Sequence, residues 1–115
     1  MLKIEHCQNG PIEILALSGR VDATTSPDFE SKLIDVASSA ASGIVLDFHH
    51  VDYVSSAGLR VLLVGVRALG GAPQRLVVAC ASDNVKEVIT LTGFQRLLTI
   101  CGSMEEAFQA VQGFG

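Results

Sequence analysis

The sequence predicts an α/β domain: an N-terminal β-hairpin leading into a mostly parallel, mixed sheet of about five strands, with about four helices. Three observations predict it. After two opening strand candidates, short apolar runs alternate with segments of helical period. Two of those runs, Ile44-Val45-Leu46-Asp47-Phe48 and Leu76-Val77-Val78-Ala79-Cys80, are almost continuously apolar, as strands buried on both faces must be. Serines and glycines punctuate the pattern where helices should start and stop.

Leu2 to Cys7 alternates weakly, Asn9-Gly10 is a turn dipeptide, and Ile12 to Ser18 is a richer strand; together they read as an antiparallel hairpin. Ser26-Pro27-Asp28 reads as a helix start, with Ser26 as N-cap, proline in the first turn and an acid at the positive end of the dipole. Phe29, Leu33, Val36, Ala37 and Ala40 share one face of that helix, and Gly43 stops it. After the strand 44–48, a second helix starts near Ser55 or Ser56. Leu59, Leu62, Leu63, Val66 and Leu69 form its buried stripe, and Gly70-Gly71 ends it. The strand 76–80 leads to a third helix, Ser82 to Thr92, with Gly93 beyond its C-terminus. Leu97 to Ile100 is a last short strand. Ser103 and Glu106 then form a capping box for a terminal helix bearing Ala107, Phe108 and Val111. Right-handed crossovers follow from strand twist, and sites in such sheets sit at the carboxyl ends of strands. The loops Gly19 to Thr25 and His49 to Ser56 qualify.

The 115 residues form one domain, 1–115, long enough to bury roughly 65% of the unfolded surface. Hydrophobic residues are 49% and charged residues only 17%, against about 25% charged in an average domain. That excludes disorder and leaves apolar surface for a partner. A net charge of −4, from 12 acidic and 8 basic residues, argues against nucleic acid, which needs a basic stripe. Cys7, Cys80 and Cys101 are odd in number and widely spaced, without disulfide-scaffold or zinc-ligand spacing. The N-terminus has no apolar signal region, and no apolar run is long enough to span a membrane. A cytoplasmic domain with no membrane insertion, acting as a monomer or weak dimer, is the expectation.

The stretch Asp47 to Arg60 carries the most chemistry. A buried strand leads through a loop to two serines, and an apolar helix starts at once. A serine there can cap the helix with its hydroxyl. Gly58 in the first turn costs about 1 kcal/mol against alanine, and is kept where something approaches the backbone closely. Capping and packing alone can account for both features.

Asp-x-x-x-Val-x-Tyr-Val-Ser-Ser-Ala-Gly-Leu-Arg-Val-Leu-Leu, residues 47–63, resembles the signature of STAS domains, found in bacterial anti-sigma-factor antagonists and in sulfate transporters. The resemblance extends over nearly the whole chain. Gly19-Arg20-Val21-Asp22-Ala23 is similar to the family's loop after the second strand, Leu91-Thr92-Gly93-Phe94 to its Leu-Thr-Gly turn, and Ser103-Met104-Glu105-Glu106-Ala107 to its last helix start. The resemblance implies the STAS fold and partner switching. An anti-sigma factor that is a serine kinase phosphorylates one serine at the start of the second helix. The phosphorylated antagonist releases the kinase, and a serine/threonine phosphatase of the metal-dependent class restores it. Alignment on Gly58-Leu59 places the acceptor at Ser56. Ser55 stands where the sporulation antagonist has an aspartate, and Ala57 where it has a second serine. Asp22, Ala23, Thr24, Ser55, Ala57, Gly58 and Arg60 are then the phosphosite environment and partner-binding surface. The resemblance implies no catalysis by the domain itself and leaves nucleotide binding open, while the sequence has no P-loop, no GxGxxG and no metal-ligand spacing, so that no cofactor and no metal are expected.

A phosphoserine carries roughly −1.5 to −2 charge. A helix N-terminus favours that charge, so the fold should survive, while an interface is disrupted. Asp22 is open to a second reading, as a turn aspartate bonding its own backbone. Arg60 and Arg67 lie on nearly one helix face, either solvated or as a rim contact. Ser56-Ala57-Gly58 is half of a nucleophile elbow, but Val54 stands where the first glycine belongs. His49-His50 reads as a solvated pair, and the three cysteines as small core residues. Phe114 is a packing plug or a free tail. Two rivals stand beside the switch: a non-switching STAS subunit of a transporter or stress-signalling complex, and a small serine hydrolase built on Ser56.

Overall fold

The computed structural model describes residues 2–39, 43–71 and 75–114, with side chains to Val111. The hairpin forms from β1 (Leu2–Asn9) and β2 (Ile12–Val21), antiparallel from Leu2↔Gly19 to Asn9↔Ile12. Gly10 supplies the positive φ that its turn needs. Helix α1 (Ser26–Ala37) leads to β3 (Gly43–Val54), α2 (Ser56–Ala68) to β4 (Leu76–Ala79), and α3 (Asp83–Leu91), followed by a 3-10 turn at Phe94–Arg96, to β5 (Thr99–Cys101); α4 (Met104–Phe114) closes the chain. The strand order is β1-β2-β3-β4-β5, parallel from β2 onward.

A sequential strand order with crossovers of one hand puts every crossover helix on the same face. Accordingly α1, α2 and α3 share one core, in which Phe29, Leu33, Leu62 and Ile89 pack on Leu15, Leu46 and Phe48. α4 follows the last strand and is free to take the other face. There Ala107 and Val111 pack on Ile12, Ile14, Val45 and Val77.

Several boundaries differ from the expected ones. Ser26 is the first residue of α1, and Thr25 precedes it without a side-chain cap bond; the Ser26 hydroxyl donates instead to the Asp22 carbonyl at 2.5 Å. Gly43 does not stop α1 but opens β3, where a Cβ would lie 2.6 Å from the Arg75 carbonyl oxygen. The loops of the sequence reading are mostly strand: β2 runs through Val21 and β3 through Val54. β4 pairs with β3 only as far as Asp47. Beyond that point β3 is held by β2 alone, so polar residues can occupy it without being buried. Leu63 is half-buried while Val61 is buried in its place. β5 starts at Thr99, because Leu97 closes the 3-10 turn through its N–H to Phe94 O. Cys7 is exposed, and Cys80 and Cys101 are half-buried, so none is a full core residue. Ala40 and the side chain of Phe114 lie outside the described residues. The expected caps at Ser82 and Ser103 form, the latter accepting the Glu106 N–H at 3.1 Å while its hydroxyl donates to Glu106 Oε1 at 3.3 Å.

One buried carboxylate lies at the far end of the hairpin from the strand-to-helix loops. Glu13, 5% exposed, accepts from Gln8 at 2.6 Å and meets the His6 ring at 2.5 Å. Gln8 first and His6 second hold its pKa below the ordinary value of 4.5, against the opposing effect of burial. Among the described residues, no helix is long and apolar enough to cross a membrane.

Candidate functional site

The carboxyl ends of β2 and β3 lie side by side, Val21 opposite Val54. The chain turns there into α1 through Asp22–Thr25 and into α2 through Ser55. Ser55 N–H donates to Val21 O at 2.9 Å, which ties the two exits together. The expected neighbourhood of Asp22 and the α2 start is therefore observed, as adjacent strand ends.

Ser55 is the N-cap of α2. It is extended, with φ −88° and ψ 175°, and its hydroxyl accepts the Gly58 N–H at 3.4 Å. Ser56 is then the first helical residue, and it is exposed. Its hydroxyl makes no hydrogen bond with a described residue. The two serines thus divide the roles that the sequence left shared. Gly58 is buried under the strand ends. A Cβ there would lie 2.7 Å from Val21 Cγ1 and 3.0 Å from both Val21 O and Val54 Cγ1. What approaches its backbone is this chain's own β2, so the glycine seats α2 on the sheet and fixes where Ser56 points.

Asp22 uses its carboxylate on its own loop. Oδ1 accepts from the Thr24 N–H at 3.0 Å, the Thr25 N–H at 3.1 Å and the Thr25 hydroxyl at 3.3 Å. The Thr25 N–H is the main cause holding its pKa below 3.8, with further help from Thr24, the Thr25 hydroxyl and Arg20; burial pulls the other way. This is the turn aspartate of the second reading, half-buried at the strand end.

The remaining expected residues divide between two hollows. Ala23, Ala57 and Arg60 line a groove of about 370 Å³ between α1 and α2, with Ser26, Pro27 and Glu30. Asp22 and Thr24 line a separate hollow toward Leu2 and Asp28. Arg60 is exposed and one turn beyond Ser56 on the same helix face.

Two neighbours were missed by the sequence reading. Arg20 and Tyr53 are cross-strand partners, and the guanidinium carbon lies 4.4 Å from the ring centroid. Arg20 Nε is also 3.7 Å from Asp22 Oδ2. A register that pairs the strands to their last residues would have placed Arg20 on Tyr53; ending β2 at Ser18 concealed it.

The electrostatics favour an added negative charge at Ser56. The first turns of α1, α3 and α4 carry Asp28, Asp83, and Glu105 with Glu106, whereas that of α2 carries no acid. Its N-terminal N–H groups and dipole are therefore uncompensated by a side-chain charge. A serine nucleophile would need a base in contact. Among the described residues the histidines lie elsewhere, His6 with Glu13 and His49 edge-on to His50 at 4.6 Å. No group of three or more His, Cys, Asp or Glu among the described residues could hold a metal ion.

The fold recurs in known proteins. The chain is 32% identical over 97 residues to the candidate anti-sigma factor antagonist BtrV of Bordetella bronchiseptica, covering 84% of each chain. The crystal structure of an anti-sigma factor antagonist from Mycobacterium paratuberculosis superposes with a TM-score of 0.88 at 21% identity, covering 97% of this chain and 95% of that one. The unphosphorylated form of the antagonist SpoIIAA gives 0.77 at 20% identity, covering 98% and 97%. The STAS domain family model matches residues 3–107, and with that match over a five-stranded mixed sheet and four helices, the chain belongs to the STAS domain family.

Proposed function

We propose that this chain is an anti-sigma factor antagonist that binds a serine-kinase anti-sigma factor through the α2 end of the sheet and lets go when Ser56 is phosphorylated. A metal-dependent serine/threonine phosphatase resets it. The observation that carries the reading is the division of labour at the helix start: Ser55 caps, and Ser56 is exposed with its hydroxyl uncommitted. The relatives named as anti-sigma factor antagonists support it, and SpoIIAA has been solved in a phosphorylated form.

The physical account needs no rearrangement of the domain. The phosphate adds roughly −1.5 to −2 charge at the N-terminus of α2, where the dipole favours it. The fold is kept and the surface changes. At an interface the same charge must be desolvated or meet acidic groups. A lost buried polar contact there costs about 2–5 kcal/mol, which is roughly 30-fold to several-thousand-fold in affinity. Ala23, Thr24, Ala57 and Arg60 form the surrounding contact surface, and Asp22 and Gly58 set its shape. The protein is a substrate of enzymes rather than an enzyme.

The test is intact mass and peptide mapping after incubation with ATP and the kinase, with ADP in a parallel mixture scored for a complex. One phosphoryl group on Ser56 with loss of the complex supports the switch. A stable complex in ATP with no phosphate would replace it by the non-switching subunit. Phosphate on Ser55 would move the acceptor to the capping residue.

A further inference from the structure

The extension of β3 past the end of β4 leaves a groove of about 260 Å³ between β3 and α3, separate from the hollows around Ser56. Tyr53, Val54, Val85 and Val88 line it, and so do Asp52 and Glu87. Tyr53 is 40% exposed, and Arg20 braces its ring from the neighbouring strand. Leu91 lies three residues beyond Val88 and four beyond Glu87, on the same face of α3, and is 78% exposed. A single exposed leucine is ordinary. This one lies about one helical turn beyond the groove's lining residue Val88.

The charges are equally directed. Neither Asp52 nor Glu87 has an ion-pair partner among the described residues. Arg20, on the neighbouring strand, is already engaged by Tyr53 and Asp22, and Lys86, beside Glu87 on α3, makes no ion pair with either carboxylate. We propose that this groove docks a segment of a protein partner that presents a basic side chain flanked by apolar ones. The cationic head sits between Asp52 and Glu87, its methylene stem lies along Tyr53 and Val88, and a flanking apolar residue covers Leu91. The groove has a different lining from the hollow between α1 and α2 beside Ser56.

The test is amide chemical-shift mapping of the full-length protein with acetyl-Leu-Arg-Leu-amide, and with acetyl-Leu-Glu-Leu-amide as its acidic counterpart. The basic peptide is expected to shift Tyr53, Asn84, Glu87 and Val88 saturably, and the acidic one to leave them in place. An Asp52→Asn/Glu87→Gln double variant should bind the basic peptide about fivefold more weakly, as the loss of two solvent-accessible pairs implies. Equal shifts with both peptides, shifts centred on another surface, or no shift would overturn the proposal. Concentration-dependent shifts of the same residues without peptide would overturn it in favour of a second copy of this chain.

Discussion

Helices α2 and α3 both start on a serine in extended backbone, Ser55 and Ser82, whose hydroxyl accepts the N–H three residues on, at 3.4 and 3.3 Å. Both follow a parallel strand and bury their inner face in the same core. They differ at two positions. The first helical residue is Ser56 in α2 and Asp83 in α3; the residue receiving the cap is Gly58 in α2 and Val85 in α3. The α3 start is complete as it stands, with a carboxylate at the dipole and a valine, 1% exposed, in the core. The α2 start lacks the charge and presents a hydroxyl in its place, held against β2 by a residue without a side chain. One start is complete, and the other leaves its dipole without a side-chain charge.

Exchanging the residues under the caps breaks this contrast most severely. Val85→Gly should lose about 3 kcal/mol, from a buried valine and a helical glycine together. Gly58→Val should lose about 2 kcal/mol, because the new side chain meets Val21 and Val54. Urea denaturation measures both, and a Gly58→Val protein as stable as the parent would show that α2 is not seated as described. Removing the caps comes next: Ser55→Ala and Ser82→Ala should each cost about 1 kcal/mol. Ser56→Ala, by contrast, should stay within about 0.5 kcal/mol of the parent. A Ser56→Ala loss equal to that of Ser55→Ala would mean that the two serines share the capping role.

Exchanging the charges is the finer test. Ser56→Asp should stabilise the fold and Asp83→Asn destabilise it, each by about 0.3–1 kcal/mol at low salt and less at high salt. A destabilising Ser56→Asp would contradict the tolerance of α2 for added charge. The smallest effect belongs to Asp22, at the carboxyl end of β2. Its folded pKa lies below 3.8, so its contribution is present above that value and lost as the pH falls through the folded one. Stability measured from neutral pH downward should fall less steeply in Asp22→Asn than in the parent; identical slopes would remove the carboxylate's role in holding the loop.

Much of this was legible in the sequence because periodicity and caps are local signals. The alternation of apolar runs and helical stripes gave the layer order, and Ser82, Gly93 and Ser103 marked boundaries that the fold uses. The reach of β3 was not legible. Its last six residues set His49, His50 and Asp52 among Val51, Tyr53 and Val54 without a strand's alternation, and their strand conformation depends on β2 pairing alongside while β4 stops short. The same long-range fact hid the contact of Arg20 with Tyr53 and the groove beside α3. Ser26 looked like a cap because it precedes proline, yet its hydroxyl is drawn to the Asp22 carbonyl. At the candidate site, spacing brought out the two serines and Gly58. Which serine caps, and what presses on the glycine, depend on the position of Val21, which only the folded sheet supplies.

In the proposed function Ser56 carries the switch while Ser55 carries the helix. The most direct measurement is the affinity of the purified serine-kinase anti-sigma factor for the parent protein and for protein carrying phosphoserine at position 56, by titration calorimetry with ADP present. An intact fold is expected in both, with binding weaker by roughly 30-fold to several-thousand-fold for the phosphorylated form. Equal affinity of the two forms would contradict it.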